Sequence, residues 1–100
     1  MIIKVIPLFP APKDHILLSN RSHAYLQSEL AQQALEDAVM SIDAKPDWAK
    51  GYFRKAAALQ RLERPDEAFK AYYECLLLEE GASVKAIKNE LVKTLYQVGN

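Results

Sequence analysis

The sequence predicts an all-α fold: a right-handed α-solenoid of two helix-turn-helix units closed by a C-terminal capping helix. Three observations carry the prediction. The chain repeats on itself at an offset of thirty-four residues, helix start and stop signals recur at matching places in the two copies, and the last stretch carries one apolar stripe at helical spacing. On that offset Ala24 falls on Ala58, Glu29 on Glu63 and Ala34 on Ala68. Leu18 meets Tyr52, Ser22 meets Ala56, Tyr25 meets Leu59, Ser41 meets Cys75 and Ile42 meets Leu76. Small residues stay small and large ones stay large, as stacked helix pairs require, because neighbouring helices approach closely only at small residues.

Each element follows from its ends. Asp14 is a capping residue for a first helix running to about Ser28, and a second helix runs from about Ala31 to Asp43, with Pro46 closing the unit. Asp47 is expected to cap a third helix, "WAKGYFRKAAALQRL", reaching about Leu62. Pro65 at a first-turn position, followed by Asp66 and Glu67 near the positive end of the helix dipole, starts a fourth helix ending near Glu79. Gly81 is a stop signal. Ser83 is then the expected cap of a last helix to about Val98, whose stripe is Val84, Ile87, Leu91, Leu95 and Val98. The units therefore span about 15–48 and 49–82, with the capping helix at 83–98, all within a repeat domain at 14–98. Residues 1–13 are expected to be extended, since Pro7, Pro10 and Pro12 remove donors and the β-branched residues before them disfavour a short helix.

Composition narrows function. Thirteen basic and thirteen acidic residues cancel in this chain of 100, so no overall field draws it to nucleic acid or to an acidic membrane, and a charged ligand must be met by a local patch. No apolar run approaches the ~18 residues a membrane span needs, and "MIIKVIPLFPAP" lacks the basic start of a signal peptide. Cys75 is the single cysteine and suits a reducing cytoplasm. No nucleophile–base pair, glycine-rich phosphate loop or Walker motif is present, so neither catalysis nor a cofactor is expected. His15 and His23 lie eight apart without a carboxylate or cysteine at ligand spacing, which points away from a metal. Cys75 stands where the repeat wants a small residue, and Tyr72 and Tyr73 are expected to divide between core and surface.

Ser22, Tyr25, Ala34 and Pro46 in the first unit, and Ala56, Leu59 and Ala68 in the second, resemble the pattern of the tetratricopeptide repeat; Glu80 stands in place of the second proline. "LSNRSHAY" and "KPDWAKGYFRKAAAL" further resemble the co-chaperone type of this repeat, whose domains hold the C-terminal Glu-Glu-Val-Asp tail of heat-shock chaperones. The resemblance covers roughly residues 15 to 98. It implies a clamp of lysines, asparagines and an arginine on the tail's carboxylates, in which Asn20 matches an asparagine and Lys50 and Arg54 match a lysine and an arginine. Asn20 and Arg54 are thirty-four apart, so they occupy the same place in successive units, and Lys50 precedes Arg54 by one turn. These residue types suit carboxylate binding, because an amide donates without adding charge, an ammonium is a mobile point charge, and a guanidinium binds carboxylates bidentately.

The clamp the resemblance implies would need a lysine and an asparagine from a helix pair upstream, and thirty-four residues before Asn20 lies ahead of Met1. The first repeat is thus read as missing, and Ile2, Ile3, Val5, Ile6, Leu8 and Phe9 stand in its place, either to cover the bared surface or to pair with another copy. From charge placement alone, Lys50, Arg54 and Arg61 read as a solvated face. Two functional classes remain open: an adaptor receiving an acidic chaperone tail through Asn20, Lys50 and Arg54, and a scaffold or substrate-recruiting segment, since "KGYFRKAAAL" is also similar to repeats of RING/LON-type ubiquitin ligases.

Overall fold

The computed structural model describes residues 13–79, 81 and 83–99, in which every regular element is an α-helix. The expected extended segment lies outside the described residues except for Lys13. Five helices follow in order: α1 His15–Gln27, α2 Ala31–Ala44, α3 Ala49–Arg61, α4 Pro65–Leu78 and α5 Ser83–Gly99. Each packs on the next, and α1 also touches α3, so the helices form a stack of antiparallel pairs.

The helix ends show why the sequence breaks where it does. The Asp14 carboxylate accepts the backbone N–H of Ile16 at 2.8 Å, fixing the start of α1. Its end is a Schellman turn: Glu29 sits at φ 63°, the Leu30 N–H reaches the Tyr25 carbonyl at 2.9 Å and the Glu29 N–H reaches that of Leu26 at 3.1 Å. Thirty-four residues on, the turn recurs with Glu63 at φ 59°, Arg64 N–H on the Leu59 carbonyl and Glu63 N–H on that of Gln60. The repeat therefore extends to a strained backbone position that neither copy fills with glycine.

Two expected caps are displaced. Trp48, not Asp47, occupies the N-cap of α3 and makes no side-chain capping bond; Asp47 instead pairs with Lys45 at 3.3 Å. The half-buried Trp48 indole packs edge-on to the His15 ring, with centroids 4.6 Å apart, tying the entry of α3 to the start of α1. Ser83 is the first residue of α5, inside the helix rather than ahead of it.

Small residues make the helix crossings. Ala34, Leu35, Ala56, Ala58, Leu59, Ala68, Ala71 and Tyr72 form the main core, with Tyr25, Leu26, Phe53, Leu62 and Leu91 against it. Ser22 and Ser41 are buried at two crossings and donate across them, Ser22 Oγ to the Ala34 carbonyl at 2.7 Å and Ser41 Oγ to that of His15 at 2.9 Å. Tyr72 is 1% exposed and Tyr73 50%, dividing as expected. The Tyr72 hydroxyl donates to Gln60 Oε1 at 2.6 Å while its ring meets Phe53 edge-on, and burial raises its pKa.

A feature not read from the sequence ties α1 to α2. Arg21 forms a bidentate pair with Asp37, Nε to Oδ2 at 2.6 Å and Nη2 to Oδ1 at 2.8 Å, and Asp37 is only 3% exposed. The guanidinium also lies 5.8 Å from the Tyr25 ring centroid. Along α5 the stripe holds at Ile87 and Leu91 but then turns: Thr94 is fully buried, while Leu95 is 56% exposed and Val98 is also exposed. Thr94 can be buried because its hydroxyl donates back to the Glu90 and Leu91 carbonyls of its own helix.

Candidate functional site

The site grows from the contact of α1 with α3. Arg54, on α3, is half-buried, and its guanidinium is held by α1: Nε donates to Oγ of the fully buried Ser19 at 3.3 Å, and Nη1 lies 3.1 Å from His23 Nδ1. Partial desolvation lowers the Arg54 pKa from its ordinary value, yet an arginine stays cationic throughout the physiological range. The plain reading of a solvated face therefore fails for Arg54. Two neutral partners on another helix hold its charge in place, and neither neutralises it.

Lys50 stands one turn before Arg54 and is exposed, without a hydrogen bond or ion pair among the described residues. Both cations line one cleft of about 240 Å³ with Phe53, Cys75, Glu79, Ser83, Ala86 and Ile87. Its floor is apolar, because Cys75 and Ile87 belong to the second core cluster and Phe53 packs against it. Burial pushes the Cys75 thiol up to about 11, so at neutral pH it is a packed neutral group rather than a nucleophile. The cleft can thus seat an apolar side chain with an anionic group above it on Lys50 and Arg54, with Glu79 biasing which way a charged ligand lies.

Asn20 is exposed on α1, one residue after Ser19 and three before His23, and its amide makes no hydrogen bond among the described residues. The structure brings Lys50 and Arg54 to one cleft and puts Asn20 on the turn of α1 that holds Arg54. Sequence reasoning missed Ser19 and His23 as partners of Arg54. The offset contained the hint: Arg54 aligns with Asn20, so the residues flanking Asn20 face the place where Arg54 reaches across. A second cleft of about 400 Å³ between α2, α3 and α4 is lined by Lys55, Arg64 and Lys70 but also by Glu67 and Glu74, so opposed charges share its rim.

Paired helices stacked at a thirty-four-residue period define a tetratricopeptide repeat domain, and this one carries Lys50 and Arg54 with Glu79 around a small cleft. The comparisons agree. The first tetratricopeptide domain of Spaghetti (RPAP3) bound to the HSP90 peptide SRMEEVD superposes with a TM-score of 0.81 at 28% identity, over 89% of this chain and 69% of that one. In sequence the chain is 48% identical over 86 residues to the heat shock protein sti1 homolog of Schizosaccharomyces pombe, covering 86% of this chain and 14% of the relative. It is 44% identical over 69 residues to the Hsp70-Hsp90 organizing protein of Triticum aestivum, covering 69% and 12%. No family model matches. The chain is a tetratricopeptide repeat domain, homologous to short segments of the Hsp70–Hsp90 organising proteins. It spans 14% and 12% of the length of those two relatives. No described helix is long and apolar enough to cross a membrane.

Proposed function

We propose that this chain is a peptide-binding adaptor, a binding module and not an enzyme, that receives the acidic C-terminal tail of a heat-shock chaperone with Asn20, Lys50 and Arg54. The single observation that carries the reading is the posture of Arg54: held by Ser19 and His23, in no ion pair among the described residues, and placed with Lys50 over an apolar-floored cleft that Glu79 also lines. In this reading Lys50 and Arg54 take the terminal carboxylates, Arg54 supplies fixed directional donors, and Asn20 adds an uncharged amide donor from α1. The apolar cleft beneath takes a neighbouring aliphatic side chain of the tail. The likeness to a domain bound to SRMEEVD and the homology to organising proteins support the same ligand class. The buried neutral thiol of Cys75 fits a reducing cytoplasm.

Affinity of the hundred-residue chain is expected to be low. Two further donors that the resemblance implies have no counterpart among the described residues, and at roughly 1.5–3 kcal/mol per charge-assisted bond their lack costs about a hundredfold or more. Calorimetric titration with SRMEEVD and with its C-terminally amidated form tests the reading. Binding of the free acid with clear loss on amidation is expected; equal binding of the two forms would remove the carboxylate from the account and leave a scaffold.

A further inference from the structure

We propose that His23 is a further ligand-contacting residue of this groove, and that its protonation sets the groove's affinity for an acidic peptide. The inference rests on the peptide-binding reading above. His23 is exposed, shares a helix face with Asn20 three residues before it, and has its Nδ1 3.1 Å from Arg54 Nη1. The packing of the repeat does not require it: thirty-four residues on, the same position is Ala57.

Arginine can only donate, so in the free groove His23 Nδ1 is the acceptor and the ring is neutral, with its proton on Nε2. Burial, then the adjacent Arg54 charge, holds the His23 pKa below its ordinary 6.5. The charged groups around the ring can be named element by element. From α3 comes Arg54, the one charged group recorded against the ring among the described residues; Arg21, two residues before His23 on α1, is taken up by Asp37 of α2. The free groove therefore opposes imidazolium.

A bound carboxylate reverses that field. Protonation of Nδ1 ends its bond with Arg54, frees the Nη1 donor for the ligand and makes His23 a second donor beside it. His23 thus binds its proton more tightly in the complex than in the free groove. By linkage, affinity is greatest below the free-groove pKa and is lost as pH rises through the pKa of the complex. A rise of one pKa unit on binding makes the affinity below that window about tenfold greater than above it.

The test is calorimetry with N-acetylated SRMEEVD at pH 5.5 and 7.5, where the peptide carboxylates stay largely ionised. It compares the parent chain with His23→Gln, which keeps a neutral acceptor for Arg54, His23→Ala, and His15→Gln as the control at the other histidine. The parent and His15→Gln should bind several-fold tighter at pH 5.5, about fivefold for a one-unit rise, both His23 variants should lose that dependence, and the His23 imidazole titration followed by NMR should move up when peptide is added. If the parent is indifferent to pH, or if His23→Gln retains the dependence, the inference fails while the peptide reading stands. If the parent binds no peptide at either pH, the peptide reading fails and takes the inference with it.

Discussion

Arg21 and Asp37 offer the sharpest test of what holds the first helix pair together. Asp37 is almost wholly buried and its two oxygens accept from Nε and Nη2 of one guanidinium, whose side chain is itself only 14% exposed. In the second unit the same two places are Lys55 and Ala71, and Ala71 is fully buried. The pocket around Asp37 therefore tolerates a methyl group, whereas a lone carboxylate there has no other cation described beside it. Arg21→Met should strand the buried charge and cost about 3–5 kcal/mol, since breaking a buried pair exposes the full desolvation penalty of the partner left behind. Against a whole-domain stability of roughly 5–15 kcal/mol, that removes a large share of the total and shifts the urea midpoint clearly downward. Asp37→Ala should cost less, because the freed arginine can turn toward solvent, and Arg21→Lys with Asp37→Ala, which copies the second unit, should recover most of the loss. Urea denaturation followed by far-UV circular dichroism measures all three. The reasoning is refuted if Arg21→Met costs under about 1 kcal/mol, or if the double variant is less stable than Arg21→Met alone.

Glu29 and Glu63 occupy left-handed backbone at φ 63° and 59°, where a side chain is strained; Glu29→Gly and Glu63→Gly should each stabilise by about 1 kcal/mol, read from denaturation midpoints, and a loss at both sites would contradict the turn geometry. Cys75 links stability to alkaline pH: its folded pKa of about 11 lies above the 9.0 of an exposed thiol, so the contribution is complete below pH 9 and is lost as pH rises toward 11. That loss is on the order of 2 kcal/mol, and Cys75→Ala should flatten this part of a stability-against-pH profile; an unchanged slope would mean the thiol ionises freely in the fold.

Much of the fold was legible in the sequence because it depends on short-range chemistry. Asp14 capping, Pro65 opening α4 and the thirty-four-residue alternation of small and large residues act within one or two turns, and all reappear in the structure. What escaped depends on how helices cross. Arg21 and Asp37 are sixteen residues apart and meet only once α1 and α2 are paired, and the second unit does not repeat the pair. Asp47 reads as a cap in any local scheme, yet α3 begins one residue later, with Trp48 at the N-cap against the His15 ring and Asp47 paired to Lys45. Thr94 takes the buried place expected of Leu95 because it follows Ile87 by seven residues, only about 20° around the helix, whereas Leu95 lies about 80° off that face. Lys50 and Arg54 were singled out from resemblance and spacing, but nothing in the sequence alone distinguishes a solvated arginine from one held by Ser19 and His23.

The measurement that bears most directly on the central claim is titration of Arg54→Glu with SRMEEVD beside the parent chain, with far-UV circular dichroism on both. The variant places a carboxylate where the account needs a cation. Because Lys50 remains and the guanidinium contributes only polar bonds to Ser19 and His23, the helices should persist while binding disappears; Lys50→Ala should weaken binding less. If folded Arg54→Glu binds the peptide as well as the parent does, the groove over Phe53 and Ile87 is not where an acidic tail docks.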